Sequence, residues 1–318
     1  MPLVFGAASS HAPSMFCPAS AWPAVHRSLT RDVPQPLEIA VETPDVLEGY
    51  VRRIQAAFSE LRARTEAAKL DALIIIGDDQ TEVFSSACIP QIAVYLGQKV
   101  SGTTSISWLG EKHEDNHITF HNHPSLAREI VTHLLRSGFD PAFMEEIQPL
   151  GRPSAGIGHA FSRIAKVLHL DDLGLPTIPL FLNGYHAPMP SGARCLALGL
   201  ALRALFEDRP ERIGIYASGG LSHCPMGPRA GWIDTPLDRW ILERLERGES
   251  RELANLFNFE SDTLHSGTGE IRSWITAAGA FDSVKATILD YIPAHHAVTG
   301  LGFAYWEPEA RYELTHVG

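Results

Sequence analysis

Short apolar runs rich in β-branched residues alternate along this chain with longer amphipathic stretches, the pattern of an α/β fold. The strongest run is DALIIIGDDQ, residues 71–80, continuous in apolar side chains and ending in a polar turn. Strands buried on both faces of a parallel sheet look like this, and ligands gather beyond their carboxyl ends. Comparable runs lie at 3–9, 92–96, 177–183 and 212–220, with a pair of short strands expected within 285–307. Thr43-Pro44-Asp45 supplies a cap, a first-turn proline and an early acid, and Leu47, Tyr50, Val51, Ile54, Phe58 and Leu61 follow at helical spacing to about Leu70. HPSLAREIVTHLLRSG puts Leu126, Ile130 and Leu134 on one face and closes at Gly138. Two more helices are predicted, over ARCLALGLALRALF and from Thr235-Pro236 to about Leu245. The expected architecture is a mostly parallel or mixed central sheet flanked by helices, with the active site at strand ends. Residues 12–44, proline-rich and without periodicity, read as a long loop and a candidate lid. No internal repeat breaks the chain, so residues 1–318 are expected to form a single catalytic domain.

Composition narrows the function. A formal charge of −11 argues against nucleic acid, because phosphate binding needs clustered Lys and Arg. No run approaches the roughly 18 apolar residues of a membrane span. The first residues lack the basic region of a signal peptide, so a cytoplasmic protein is expected. Cys17, Cys88, Cys195 and Cys224 contain no C-x-x-C pair, which suggests neither a disulfide framework nor structural zinc. No Gly-x-Ser-x-Gly elbow supports a serine hydrolase. The 15 histidines exceed what packing requires and point to metal or acid–base chemistry.

Three polar clusters fall where strands should end: Ser9-Ser10-His11-Ala12-Pro13, Gly77-Asp78-Asp79-Gln80-Thr81-Glu82, and Ser218-Gly219-Gly220-Leu221-Ser222-His223. Each alone reads as a turn or a capping loop. Together they place His11, Asp78, Asp79, Gln80 and His223 on one rim. His117, His121 and His123 lie in a polar stretch that solvation explains, and His123-Pro124 opens a helix. His186 follows a strand end, and His295-His296 follow Ile292-Pro293-Ala294.

The order SSHAP, Pro190 to Gly199 (PSGARCLALG), SGGLSH with Gly227 to Gly231 (GPRAG), Gly269-Glu270 and Ile292-Pro293-Ala294 resembles the class III extradiol ring-cleavage dioxygenases. The likeness is to the protocatechuate 4,5-dioxygenase β-subunit and its gallate and 3-O-methylgallate relatives, and it runs from His11 to about Pro308. The resemblance implies a non-haem Fe(II) enzyme that opens a catechol-type ring with O2, while the harder amide oxygen of Gln80 would shift preference toward Mn(II) or magnesium. It implies His11 and Glu270 as metal ligands, His223 as acid–base, and His159 as a second catalytic histidine. His186, Ser222 and His295 would border the substrate. The implied partners are a small aromatic diol and O2, with a homodimer expected and a small α-subunit known in protocatechuate enzymes.

Two departures stand out. Where the family has its second ligating histidine this chain has Gln80, and the family's Asp-His-Gly aligns nearer Ala155 than His159. Gln80 leaves three arrangements open. It ligates through its amide oxygen or a water, or another histidine (His159 or one from His113 to His123) fills the position, or the chain is a binding protein that keeps the fold without the chemistry. A divalent-metal hydrolase using Asp78-Asp79 is a further rival.

Overall fold

The structure is a computed structural model and describes residues 3–148, 151, 155–259 and 261–308. Its strands are β1 (Leu3–Ser9), β2 (Ala72–Gly77), β3 (Ile92–Tyr95), β4 (Lys99–Thr103), β5 (His117–His121), β6 (Ala142–Met144), β7 (Thr177–Leu182), β8 (Ile213–Ser218), β9 (Thr287–Ala294) and β10 (Thr299–Trp306). Its helices are α1 (Trp22–Thr30), α2 (Pro44–Ala67), α3 (Pro124–Arg136), α4 (His159–Val167), α5 (Leu170–Leu173), α6 (Gly192–Phe206), α7 (Thr235–Arg247) and α8 (Ile271–Ala280). Eight strands form one sheet in the order β6-β3-β7-β2-β8-β1-β10-β9, and β4 pairs with β5 apart from it. The centre, β7-β2-β8-β1, is parallel. Antiparallel pairs join it to β3 on one side and to β10 and β9 on the other. The mixed sheet expected from the sequence is therefore present.

Period-two alternation in β2 explains why both faces are covered. Ala72, Ile74 and Ile76 face a core shared with α3, α6, α7 and α8, while Leu73 and Ile75 face one shared with α2 and α4. All six β2 residues are buried. Removing each of the large aliphatic side chains from water contributes roughly 1.5–3 kcal/mol, which makes this strand a spine of the fold.

The structure departs from the sequence pattern in four places. Residues 12–44 are not one loop: α1 lies within them, and its Trp22 and Val25 are fully buried. A proline in the first turn of α1 reads as a breaker in sequence, although that is where a helix tolerates it. Helix α8 is buried at all ten positions and so lacks the polar face that gives periodicity its signal. The stretch expected as solvated loop contains β5, whose His117, Thr119 and His121 are exposed while Ile118 and Phe120 are buried. Thr43 precedes α2 as expected but makes no side-chain capping bond, whereas His123 does cap α3, accepting from Leu126 N–H. Among the described residues no helix is long and apolar enough to cross a membrane.

Helices α6 and α8 meet backbone to backbone. A Cβ on Gly199 would run into the Thr276 carbonyl, and one on Gly279 into the Leu196 carbonyl. Gly199→Ala should therefore destabilise the fold by about 1–3 kcal/mol through overpacking. A lower urea midpoint at unchanged m-value checks this, and an unaltered midpoint would show that the crossing yields without strain.

Candidate metal centre and its cavity

The carboxyl ends of β1, β2, β7 and β8 open into a cavity of about 580 Å³, in the range of small-molecule sites. His11 lies just beyond β1, Asp78 beyond β2, His186 beyond β7 and His223 beyond β8. Glu270 enters from the N-terminal end of α8. It packs so closely on the β8 turn that a Cβ on Gly219 would sit 2.9 Å from its own Cβ. That contact explains one of the paired glycines.

The hydrogen bonds fix the tautomer of His11. Ser218 Oγ has one hydrogen, which it donates to the Ala160 carbonyl at 2.6 Å. The His11 Nδ1 that lies 2.9 Å from Ser218 Oγ must therefore be the donor in that pair. The lone pair is left on Nε2, which is buried, has no hydrogen-bond partner, and faces Glu270 Oε2 at 3.6 Å and Asp78 Oδ1 at 3.8 Å. Metal-bound histidines are commonly arranged this way, with the second ring nitrogen held by a polar neighbour.

Asp78 is 2% exposed, and neither of its oxygens accepts a well-formed hydrogen bond. Its pKa is pushed well above the ordinary value by burial first and then by Glu270, Glu82 and Asp79; only the nearby Gln80 side chain acts the other way. Glu270 is also buried, but its pKa is held well below the usual carboxylate range, with His223 the largest influence against the burial penalty. Glu270 accepts from Gly220 N–H at 2.5 Å and from Gln80 Nε2 at 2.9 Å. One ligand atom from each of His11, Asp78 and Glu270 lies within 4.8 Å of the others. Buried lone pairs without donors, among acids that repel one another, fit a divalent cation.

Gln80 lines the cavity beside Glu270. Its Nε2 donates to Glu270 Oε1 at 2.9 Å while Asp78 lies with His11 and Glu270, so in this arrangement the Gln80 amide supports Glu270 and Asp78 is a candidate donor beside it. Two residues expected to border the substrate are not among those lining this cavity. Ser222 Oγ is committed to Asp238, and His295 Nδ1 lies 3.3 Å from the Gly231 carbonyl; neither lines the cavity.

Three histidines expected at the site do line it. His223 donates from Nδ1 to the Leu221 carbonyl at 2.7 Å, and its Nε2 stands 3.3 Å from Glu270 Oε1. Burial disfavours its charged form, but Glu270, the Leu221 carbonyl and Asp238 outweigh that and raise its pKa. His159 stands edge-on to His11 with ring centroids 4.8 Å apart. Its Nδ1 lies 2.8 Å from Glu82 Oε1, yet burial prevails and lowers its pKa. Glu82 itself, despite burial, is held down to about 2 by His159 and Arg163. His186 Nε2 is buried in the wall without a partner. His113 also lines the cavity, but its Nδ1 is taken by Ser105 Oγ at 2.7 Å.

Glu82 and Tyr185 were not assigned from the sequence. The partner of Glu82, His159, is 77 residues away, and Tyr185 has only its place after β7 to mark it. Asp78 did carry a signal, as the first polar residue after a fully buried strand.

Residues 36–302 match the family described as the catalytic LigB subunit of aromatic ring-opening dioxygenase. The chain is 30% identical over 165 residues to a gallate dioxygenase of Pseudomonas putida, an alignment covering 51% of this chain and 46% of that one. It is 23% identical over 199 residues to a 2,3-dihydroxyphenylpropionate/2,3-dihydroxicinnamic acid 1,2-dioxygenase of Photorhabdus laumondii, covering 63% and 56% respectively. The crystal structure of an uncharacterized Escherichia coli K12 protein aligns over 95% of this chain and 99% of that one, with a TM-score of 0.49 and 15% identity. The chain spans about half the length of the curated relatives it matches.

The donor set generates a test that needs no substrate. In anaerobic titrations of apoprotein with Mn(II), read by the EPR signal of the free ion, His11→Ala and Asp78→Asn should abolish tight binding. Gln80→Ala should weaken it by about 10- to 100-fold, the usual effect of losing a group that orients a ligand. Tight binding by Asp78→Asn together with none by Gln80→Ala would reverse the two assignments.

Proposed function

This chain belongs to the family of catalytic LigB subunits of aromatic ring-opening dioxygenases, a class III extradiol family, and from that premise we propose that its cavity opens a catechol-type ring with O2 in a non-haem, Fe(II)-dependent reaction. Mn(II) is the alternative metal, because two carboxylates with a single imidazole form a harder donor set than the usual pair of histidines and one carboxylate. The observation that carries the reading is the convergence of His11 Nε2, buried and without a hydrogen-bond partner, with one oxygen each of the buried Asp78 and Glu270. In this reading the chain acts as one catalytic domain.

His11, Asp78 and Glu270 would hold the ion. Such an ion, when bound, offers positions for a chelating diol and O2 and a path for electron density between them. His223 carries its Nδ1 hydrogen on the Leu221 carbonyl, so Nε2 is the atom that takes a proton from a substrate hydroxyl and later returns one. His159 is fixed in the same sense by Glu82 and offers a second Nε2 beside His11. His186 Nε2 and the Tyr185 hydroxyl are polar groups of the wall that can fix ring substituents. Burial pushes the Tyr185 phenol well above its ordinary pKa, so it stays a donor. A non-catalytic binding protein is the second reading, favoured by the glutamine at the family's second histidine position.

Oxygen-electrode traces of anaerobically Fe(II)-loaded protein with a panel of catechols test this directly. Oxygen uptake with a new yellow product is expected. His223→Ala should lower turnover by roughly 10²–10⁴ while sparing metal content. Absence of both metal retention and uptake across the panel would leave only the binding protein, and unchanged turnover in His223→Ala would remove that histidine from the chemistry.

A further inference from the structure

We propose that Asp238, on α7 and outside the cavity lining, is a positioning residue that sets the aim of the His223 ring by pinning the peptide between Leu221 and Ser222. The inference rests on the ring-opening reading only for what His223 does, not for how it is held.

The His223 ring is anchored by its Nδ1 hydrogen bond to the Leu221 carbonyl. That carbonyl belongs to a planar peptide group whose other end is the Ser222 N–H, so the two cannot turn independently. The Ser222 N–H donates to Asp238 Oδ1 at 2.8 Å. Asp238 Oδ2 accepts from Ser222 Oγ at 2.9 Å and from the Tyr291 hydroxyl at 2.7 Å. Ser222 Oγ in turn accepts from Asp234 N–H at 2.8 Å while giving its single hydrogen to Asp238. Backbone bonds with β10 flank this peptide on both sides, Leu221 N–H to the Gly300 carbonyl and Gly300 N–H to the Ser222 carbonyl. Thr268 holds the next residue, accepting from His223 N–H at 3.0 Å and donating back to its carbonyl. Both orientations of the ring's anchor are thus governed from Asp238 and β10.

Asp238 is 0% exposed, and a carboxyl group there is expensive unless its oxygens are used. Burial pushes it up to about 7 in spite of the bonds from Ser222 and Tyr291. A helix packed against a sheet needs only an apolar side chain at such a position. The carboxyl buys the orientation of one peptide plane, and that plane holds the candidate acid–base group.

The experiment uses full-length protein, metal-loaded for kinetics and ¹⁵N-histidine-labelled for NMR. The downfield Nδ1–H resonance of His223 is assigned by its loss in His223→Gln. Asp238→Ala should broaden or remove that resonance and lower kcat by about 10- to 100-fold, the usual effect of slight misplacement of a catalytic group, with KM and metal content within about twofold. Asp238→Asn keeps an acceptor for the Ser222 N–H and should retain the resonance and most of kcat. If Asp238→Ala does not fold, Asp238→Ser, too short to reach Ser222, is read in its place with the same expectation. A folded variant of either kind with an unaltered His223 resonance, or a loss in KM rather than kcat, overturns the proposal. If the unsubstituted protein shows no oxygen uptake, the ring-opening reading fails, while the resonance still decides whether Asp238 holds the ring.

Discussion

A histidine nitrogen and two buried carboxylates face one another at the floor of the cavity, and His11 Nε2 has no hydrogen-bond partner there. Burial and the neighbouring acids push the Asp78 carboxyl well above its ordinary pKa, a cost that a divalent cation held between these groups would offset. Much of the surrounding structure serves it. Ser218 gives its hydrogen to Ala160 so that its oxygen can fix His11, Gln80 and Gly220 tether Glu270, and the missing side chain of Gly219 lets α8 approach the β8 turn. The fold supplies the convergence itself, because three parallel strands end at one level and a buried helix begins there.

A common device recurs around the cavity. His11, His159 and His223 each have Nδ1 engaged by a protein oxygen, from Ser218, Glu82 and Leu221 respectively, which leaves Nε2 as the working atom in all three. One of these rings joins the donor set and two stand beside it. Their surroundings differ in charge, with Glu270 near His223 raising its proton affinity while burial lowers that of His159. Two titratable groups pushed apart by their environments are what an acid–base pair requires.

Much of this was legible in the sequence. The apolar run of β2 and the polar clusters after β1, β2 and β8 located the sheet centre and the rim, and the ordered blocks from SSHAP to Gly269-Glu270 pointed to the family. Ligand identity at the second position was less legible. Alignment drew attention to Gln80, and the structure puts both it and Asp78 next to Glu270, two residues apart and beyond what motif spacing can rank. Ser222 and His295 sit beside true lining residues in sequence, and only their hydrogen bonds to Asp238 and Gly231 show that they serve the frame. Glu82 was hidden because its meaning depends on a histidine from a distant helix, and α8 because a helix buried all round carries no period.

Anomalous diffraction from crystals grown anaerobically with Fe(II), and in parallel with Mn(II), would locate the ion. One peak is expected within coordination distance of His11 Nε2, an Asp78 oxygen and a Glu270 oxygen, with the Gln80 amide still on Glu270. A peak bound through Gln80 with Asp78 turned away, or a peak remote from His11, would contradict it.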